Sequence, residues 1–190
     1  MIKYFFLFLT LIFSIETFAG GVLIGNGGNI IRCSGDTYFQ SLDYIISRNM
    51  FGNKVKIIPA SSLNQSFKRI ETLLSEKLPH LVDSFRDFTS SIKNKNKSPI
   101  YSWQIPPYGI GLIIDEISPI PFRCRNSLGG VEIYQTIIRY DYKYDDTTRN
   151  KVIFKYDPDA LKLIENNYIQ MSFLMVHEWL WGYTSDIKVN

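Results

Sequence analysis

Apolar residues recur along this chain at two periods, one near 3.6 and one near 2. In residues 36–48, Phe39, Leu42, Ile45 and Ile46 fall at helical spacing, with Ser34 or Asp36 placed to cap, which predicts a helix. Residues 64–93 form the longest helical stretch of the first half, through Phe67, Ile70, Leu74, Leu81, Phe85, Phe88 and Ile92. Pro79 interrupts it; a proline lacks the amide N–H and clashes with the preceding turn, so it is expected to kink or divide the stretch. Residues 158–181 are the most clearly punctuated helix. Asp157 suits the N-cap, Pro158 the first turn, Asp159 the positive end of the dipole and Gly182 a left-handed stop. Ile164, Tyr168, Met171, Met175 and Glu178 fall along one seam of it, with Leu161, Leu174 and Trp181 beside them. Glu178 is therefore predicted to face the core, where a carboxylate is costly unless paired or used.

The period-two segments follow a different distribution. A glycine-rich opening leads to a short strand at 29–33, and residues 49–62 read as turn, short strand and loop. Gly25, Gly27 and Gly28 precede their strand with no Lys-Ser/Thr after them, so they read as a turning entry segment rather than a phosphate cradle. A strand is expected at 111–115 between turns set by Pro106, Pro107, Pro119 and Pro121. Residues 131–144 and 152–157 are β-branched and aromatic, with turn-forming residues between them, and predict a hairpin. Tyr140, Tyr142 and Tyr144 then share one face, a stripe that suits either stacking on sugar rings or peptides, or a half-buried sheet surface. The polar run at 93–99 is a surface loop. The sum is one α+β domain over residues 20–190: an antiparallel sheet from the second half, packed by a long C-terminal helix and one or two helices from the first half.

The first nineteen residues change the chemical setting. Lys3 precedes an unbroken apolar run from Tyr4 to Ile15, and Thr17 and Ala19 suit cleavage after Ala19, so 1–19 reads as a signal peptide. The run falls short of the roughly 20 residues that cross a hydrocarbon core. No later stretch approaches that length, so the mature chain is expected not to span a membrane and to be periplasmic or secreted. Its formal net charge of +3 names no partner, and no basic stripe with interleaved aromatics points to nucleic acid. The two cysteines, Cys33 and Cys124, both lie in the exported part and read as a disulfide; two buried thiols or a metal pair are the alternatives.

The sharpest chemical signal is "MVHEWLWGYT" near the C-terminus. His177 and Glu178 stand as the first histidine and glutamate of the zinc-protease signature His-Glu-x-x-His, in which two histidines one turn apart hold zinc and the glutamate polarises the attacking water. Trp181 occupies the second histidine position and cannot coordinate a metal. The other histidine, His80, follows Pro79 with only Asp83 near it in sequence, and reads as a packing or surface residue.

The combination of a secretory leader, "GNGGNIIRC" before "SLDYIISRN", a proline-flanked cysteine in "IPFRC", a strand with "EIYQTIIRY" and a terminal "MVHEWLW" followed by "TSDI" resembles uncharacterised exported proteins of predatory Gram-negative bacteria. The resemblance spans most of the mature chain. It implies that Cys33 pairs with Cys124 and that His177 and Glu178 are a shared polar pair. Such proteins carry an Asp or Asn and then an arginine beyond the helix; this chain has Asp186 with no arginine after it. The resemblance lends no established activity.

Two functional readings follow. In the first, the protein is a non-catalytic exported module with no cofactor, and His177 and Glu178 fix the terminal helix through buried hydrogen bonds, with Arg123, Arg125 or Arg139 as partners. In the second, it is a divergent metal-dependent hydrolase acting on cell-envelope or prey peptide or glycan, with His177 as zinc ligand and Glu178 as base. The partner is unspecified in both, a cell-envelope component or another protein being compatible with export.

Overall fold

The structure, a computed structural model, describes residues 22–24, 28–51, 59–95, 98–110, 120–125, 131–142 and 151–185. The leader expected at 1–19 and the strands expected within 49–62 and at 111–115 lie outside them, apart from 49–51 and 59–62. The described elements are β1 (Val22–Ile24), β2 (Asn29–Arg32), β3 (Gln40–Ser41), α1 (Leu42–Phe51), α2 (Leu63–Lys77), α3 (Val82–Lys93), β4 (Tyr101–Gln104), β5 (Glu132–Gln135), β6 (Ile137–Tyr142), β7 (Lys151–Tyr156), α4 (Pro158–Lys162) and α5 (Tyr168–Ser185). They form an α+β fold with two small sheets. One has the order β1-β6-β7-β4, antiparallel except for the β4–β7 pair; the other is the antiparallel β3-β2-β5.

Thr136 is the pivot between the sheets. It is the single residue separating β5 from β6, and its N–H and hydroxyl both donate to the Gly28 carbonyl while its own carbonyl accepts from Asp157 N. The expected first hairpin arm is thus two strands in different sheets. The switch falls at the polar pair Gln135 and Thr136, between the apolar pairs Ile133–Tyr134 and Ile137–Ile138, a short step that strand propensity alone reads through.

Pairing registers place Ile137, Arg139 and Asp141 of β6, Val152, Phe154 and Tyr156 of β7, and Tyr101 and Trp103 of β4 on one buried face. Phe67 and Leu74 of α2, Phe85 and Phe88 of α3, and Leu174, Met175 and Trp179 of α5 close over it. Trp103 stacks on Phe154 at 4.4 Å and donates from Nε1 to Ser91 Oγ, so its one polar atom is satisfied inside the core. The β4 strand was not expected from the sequence; "YSWQ" is short, and its alternation involves only Tyr101 and Trp103.

Pro79 divides the long helical stretch as expected, with a 3-10 turn at Pro79–Leu81 between α2 and α3. Two helix expectations are corrected. The first helix begins at Leu42, not near residue 36. Gln40 and Ser41 pair with β2, and the Asp36 carboxylate accepts from Gln40 Nε2 instead of capping a helix. The terminal helix is two helices. Asp157 caps α4 as expected, accepting from the N–H groups of Asp159 and Ala160. The chain then turns through 163–167, where Asn167 starts a new helix with its Oδ1 accepting from Gln170 N. α5 runs through Gly182 to Ser185, so Gly182 is no stop.

A second, smaller cluster gathers Ile31, Cys33, Leu42, Ile45 and Cys124. Cys33 and Cys124 form a disulfide across 91 positions, which ties β2 to the 3-10 turn Phe122–Cys124. A disulfide fits an oxidising compartment. Among the described residues no helix is long and apolar enough to cross a membrane.

Candidate functional site

The His-Glu pair sits on α5 where three elements meet it. His177 faces α1: its Nδ1 lies 2.9 Å from Asp43 Oδ1, both side chains being about 30% exposed. An edge-on contact of Tyr44 with Phe173, 5.3 Å between centroids, holds the same two helices together. Trp181, one turn on, lies with its ring 6.2 Å from the His177 imidazole and nearly parallel to it. The spacing that would bring a second zinc ligand to His177 brings a stacking partner instead.

Glu178 turns the other way and is fully buried. Its carboxyl accepts from the Gly28 N–H at the entry to β2, while Oε1 has no hydrogen-bond partner among the described residues. Gly28 is required there by space. A Cβ on it would stand 2.3 Å from Leu174 Cδ1 and 3.3 Å from Glu178 Oε1. Burial pushes the Glu178 carboxyl up to about 7, and nearby Asp43 adds to the rise; His177, Arg139 and the Gly28 N–H oppose it. The group is thus poised to be protonated in the folded chain.

Of the three arginines expected to meet Glu178, only Arg139 reaches its residue, and it binds main chain. Arg123 and Arg125 are exposed. Arg139 Nε donates to both carboxylate oxygens of Asp141, at 2.8 and 3.0 Å, which alternation in β6 puts on the same face. Its Nη1 donates to the carbonyls of Glu178, at 2.6 Å, and Trp179, at 3.1 Å. A cation on carbonyls near a helix C-terminus is favoured by the dipole as well as by the hydrogen bonds. Gly182 makes room for it: a Cβ there would lie 2.2 Å from Arg139 Nη2. Trp179 Nε1 and the Tyr183 hydroxyl both reach Ser84 Oγ, fastening the same stretch of α5 to α3.

The remaining candidates lie elsewhere. His80 is exposed on the turn between α2 and α3. Tyr140 and Tyr142 are half-buried on the sheet face away from α5, and Lys155 Nζ covers the Tyr140 ring at 4.5 Å; Tyr144 is outside the described residues. Among the described residues, no group of three His, Cys, Asp or Glu side chains converges as metal ligands would.

Sequence reasoning missed Asp43 and Asp141, the contact of Gly28 with Glu178 and the role of Gly182. Asp141 left a readable signal, since Arg-x-Asp inside an apolar strand puts both charges on one face. Asp43 left none, because its partner is more than a hundred positions away. No protein-family model, curated protein or solved structure matches this chain.

Proposed function

We propose that this protein is an exported, non-catalytic module, periplasmic or secreted, in which His177 and Glu178 fasten α5 to the rest of the fold. The observation that carries this reading is the direction of the polar groups. Glu178 points into a closed site against Gly28 and Leu174, and Arg139 spends its donors on Asp141 and on helix carbonyls. A hydrolytic glutamate needs room for a water and a substrate carbonyl beside it; this one is enclosed by packed side chains. The disulfide supports placement outside the cytoplasm, as does the leader-like apolar run from Tyr4 to Ile15.

Two measurements test the reading. Fractionation of the producing cells should recover the protein, oxidised at Cys33 and Cys124, outside the cytoplasm; recovery of the reduced chain in the cytoplasm would overturn the placement. Glu178→Gln and His177→Ala should both alter the unfolding midpoint while the near-ultraviolet spectrum stays native. Unaltered midpoints in both variants would overturn the fastening role.

A further inference from the structure

We propose that Glu178 is a proton-controlled latch between α5 and the junction of the two sheets: with its proton it holds Gly28, and without it Gly28 is let go, so the entry to β2 opens while the main core stays folded. The proposal deepens the reading of Glu178 as a fastening of α5, and rests on it.

Its basis is a chain of hydrogen bonds that runs from α5 to α4 through one glycine. The Glu178 carboxyl accepts from the Gly28 N–H. The Gly28 carbonyl accepts from the Thr136 N–H, at 2.8 Å, and from the Thr136 hydroxyl. The Thr136 carbonyl accepts in turn, at 2.9 Å, from the N–H of Asp157, the residue that caps α4. Thr136 alone separates β5 of one sheet from β6 of the other. The two polar groups of Gly28 therefore join α5 to the point where the sheets change over, and what happens at the Glu178 carboxyl is felt there.

The site suits a carboxylic acid and not a carboxylate. Glu178 is 1% exposed, and its Oε1 has no hydrogen-bond partner among the described residues. Leu174 closes over Gly28 so tightly that a Cβ there would stand 2.3 Å from Leu174 Cδ1. An ionised carboxylate enclosed in this way exchanges its water shell for a single main-chain donor, which is strongly unfavourable; the neutral acid escapes that penalty. The charges that face it are His177 on α5 itself, Asp43 on α1 and Arg139 on β6. Arg139 directs its Nε to Asp141 and its Nη1 to helix carbonyls. Burial outweighs the two cations, Asp43 adds to it, and the carboxyl titrates near 7.

On ionising, the carboxylate gains by meeting water, and the weaker partner gives way. α5 is anchored in the core by Leu174, Met175 and Trp179 and by Arg139 on its carbonyls. Gly28 has no side chain to anchor it. The opening is thus a local event, of lower free energy than unfolding of the whole chain.

Amide hydrogen exchange of the purified protein from pH 4.5 to 7.5, in a series of low denaturant concentrations, tests this. The Gly28 and Thr136 amides should open with a weaker denaturant dependence than those of Phe85 and Phe88 in α3. Their opening constants should rise on the order of a hundredfold between pH 4.5 and 7, and Glu178→Gln should flatten that rise. Thr136→Val, which keeps the shape and removes the hydroxyl donor, should raise opening about three- to tenfold at every pH and leave the pH profile in place. If Glu178→Gln does not fold, the parent's profile and Thr136→Val decide the matter. Gly28 and Thr136 amides that open only with the α3 amides overturn the proposal, as does opening that ignores pH, that follows the parent's profile in Glu178→Gln, or that is unmoved by Thr136→Val. An unaltered unfolding midpoint in Glu178→Gln would instead overturn the fastening itself, whereas an altered midpoint with opening indifferent to pH removes only the latch.

Discussion

Arg139 holds the main chain of Glu178: Nη1 donates to that residue's carbonyl at 2.6 Å, from a guanidinium whose Nε is fixed on Asp141. The contact joins the central sheet to the last turns of α5 and makes the His-Glu stretch part of the fold's interior.

Removing the cation should be costly. Arg139→Met leaves Asp141 as an unpaired buried charge and two carbonyls without their side-chain donor, a loss of about 3–5 kcal/mol. Arg139→Met with Asp141→Leu should cost less than the sum of the two single changes, by about 1–3 kcal/mol. Denaturant titration of the four proteins gives the coupling directly, and strict additivity would deny that the two residues act as a pair.

Gly182→Ala gives a test in which two effects oppose. Helix propensity alone favours alanine by about 1 kcal/mol. The new Cβ would stand 2.2 Å from a guanidinium held on both sides, so overpacking should prevail and the variant should lose about 1–3 kcal/mol. A stabilised Gly182→Ala would mean that Arg139 can swing away at little cost.

Stability should fall as pH rises through the range in which Glu178 ionises. Its folded-state value lies near 7 against 4.5 for the free group, so the folded chain binds the proton more tightly than the unfolded chain. The contribution is fully present below about pH 4.5 and is lost progressively up to about pH 7; its size is on the order of 3 kcal/mol. Glu178→Gln removes the ionisation and keeps an acceptor for Gly28 N–H. Its unfolding midpoint should vary less over that range and exceed the parent's above pH 7. Parallel pH profiles for the two proteins would contradict this.

The disulfide closes a loop across 91 positions, and cross-linking a chain over that distance restricts the unfolded ensemble by about 4–5 kcal/mol. Cys33→Ser with Cys124→Ser should lower stability by an amount of that order, and reductant should do the same to the parent protein. A midpoint insensitive to reductant would show that the bridge adds nothing to the fold.

The elements that announced themselves in the sequence are those with local causes. Pro79 divides its helix because a missing N–H acts within one turn, and Asp157 caps α4 because its side chain meets N–H groups two and three residues on. The burial of Glu178 was legible from helical period alone. What was hidden depends on residues far apart. The sheet switch at Thr136 requires the Gly28 carbonyl, the late start of α1 requires pairing with β2, and Gly182 serves a guanidinium from β6 rather than the end of its own helix. The halved terminal helix is a different case. Asn166 and Asn167 carry a local turn signal, but the apolar seam from Leu161 to Trp181 runs past them at unbroken helical spacing.

The most direct test of the account is elemental analysis of the purified protein together with His177→Ala. If His177 is a fastening between α5 and α1, the parent protein carries no stoichiometric zinc, and the variant folds with a modestly lower midpoint from loss of the Asp43 contact. Near-stoichiometric zinc in the parent, lost in His177→Ala, would contradict the account and make His177 a metal ligand.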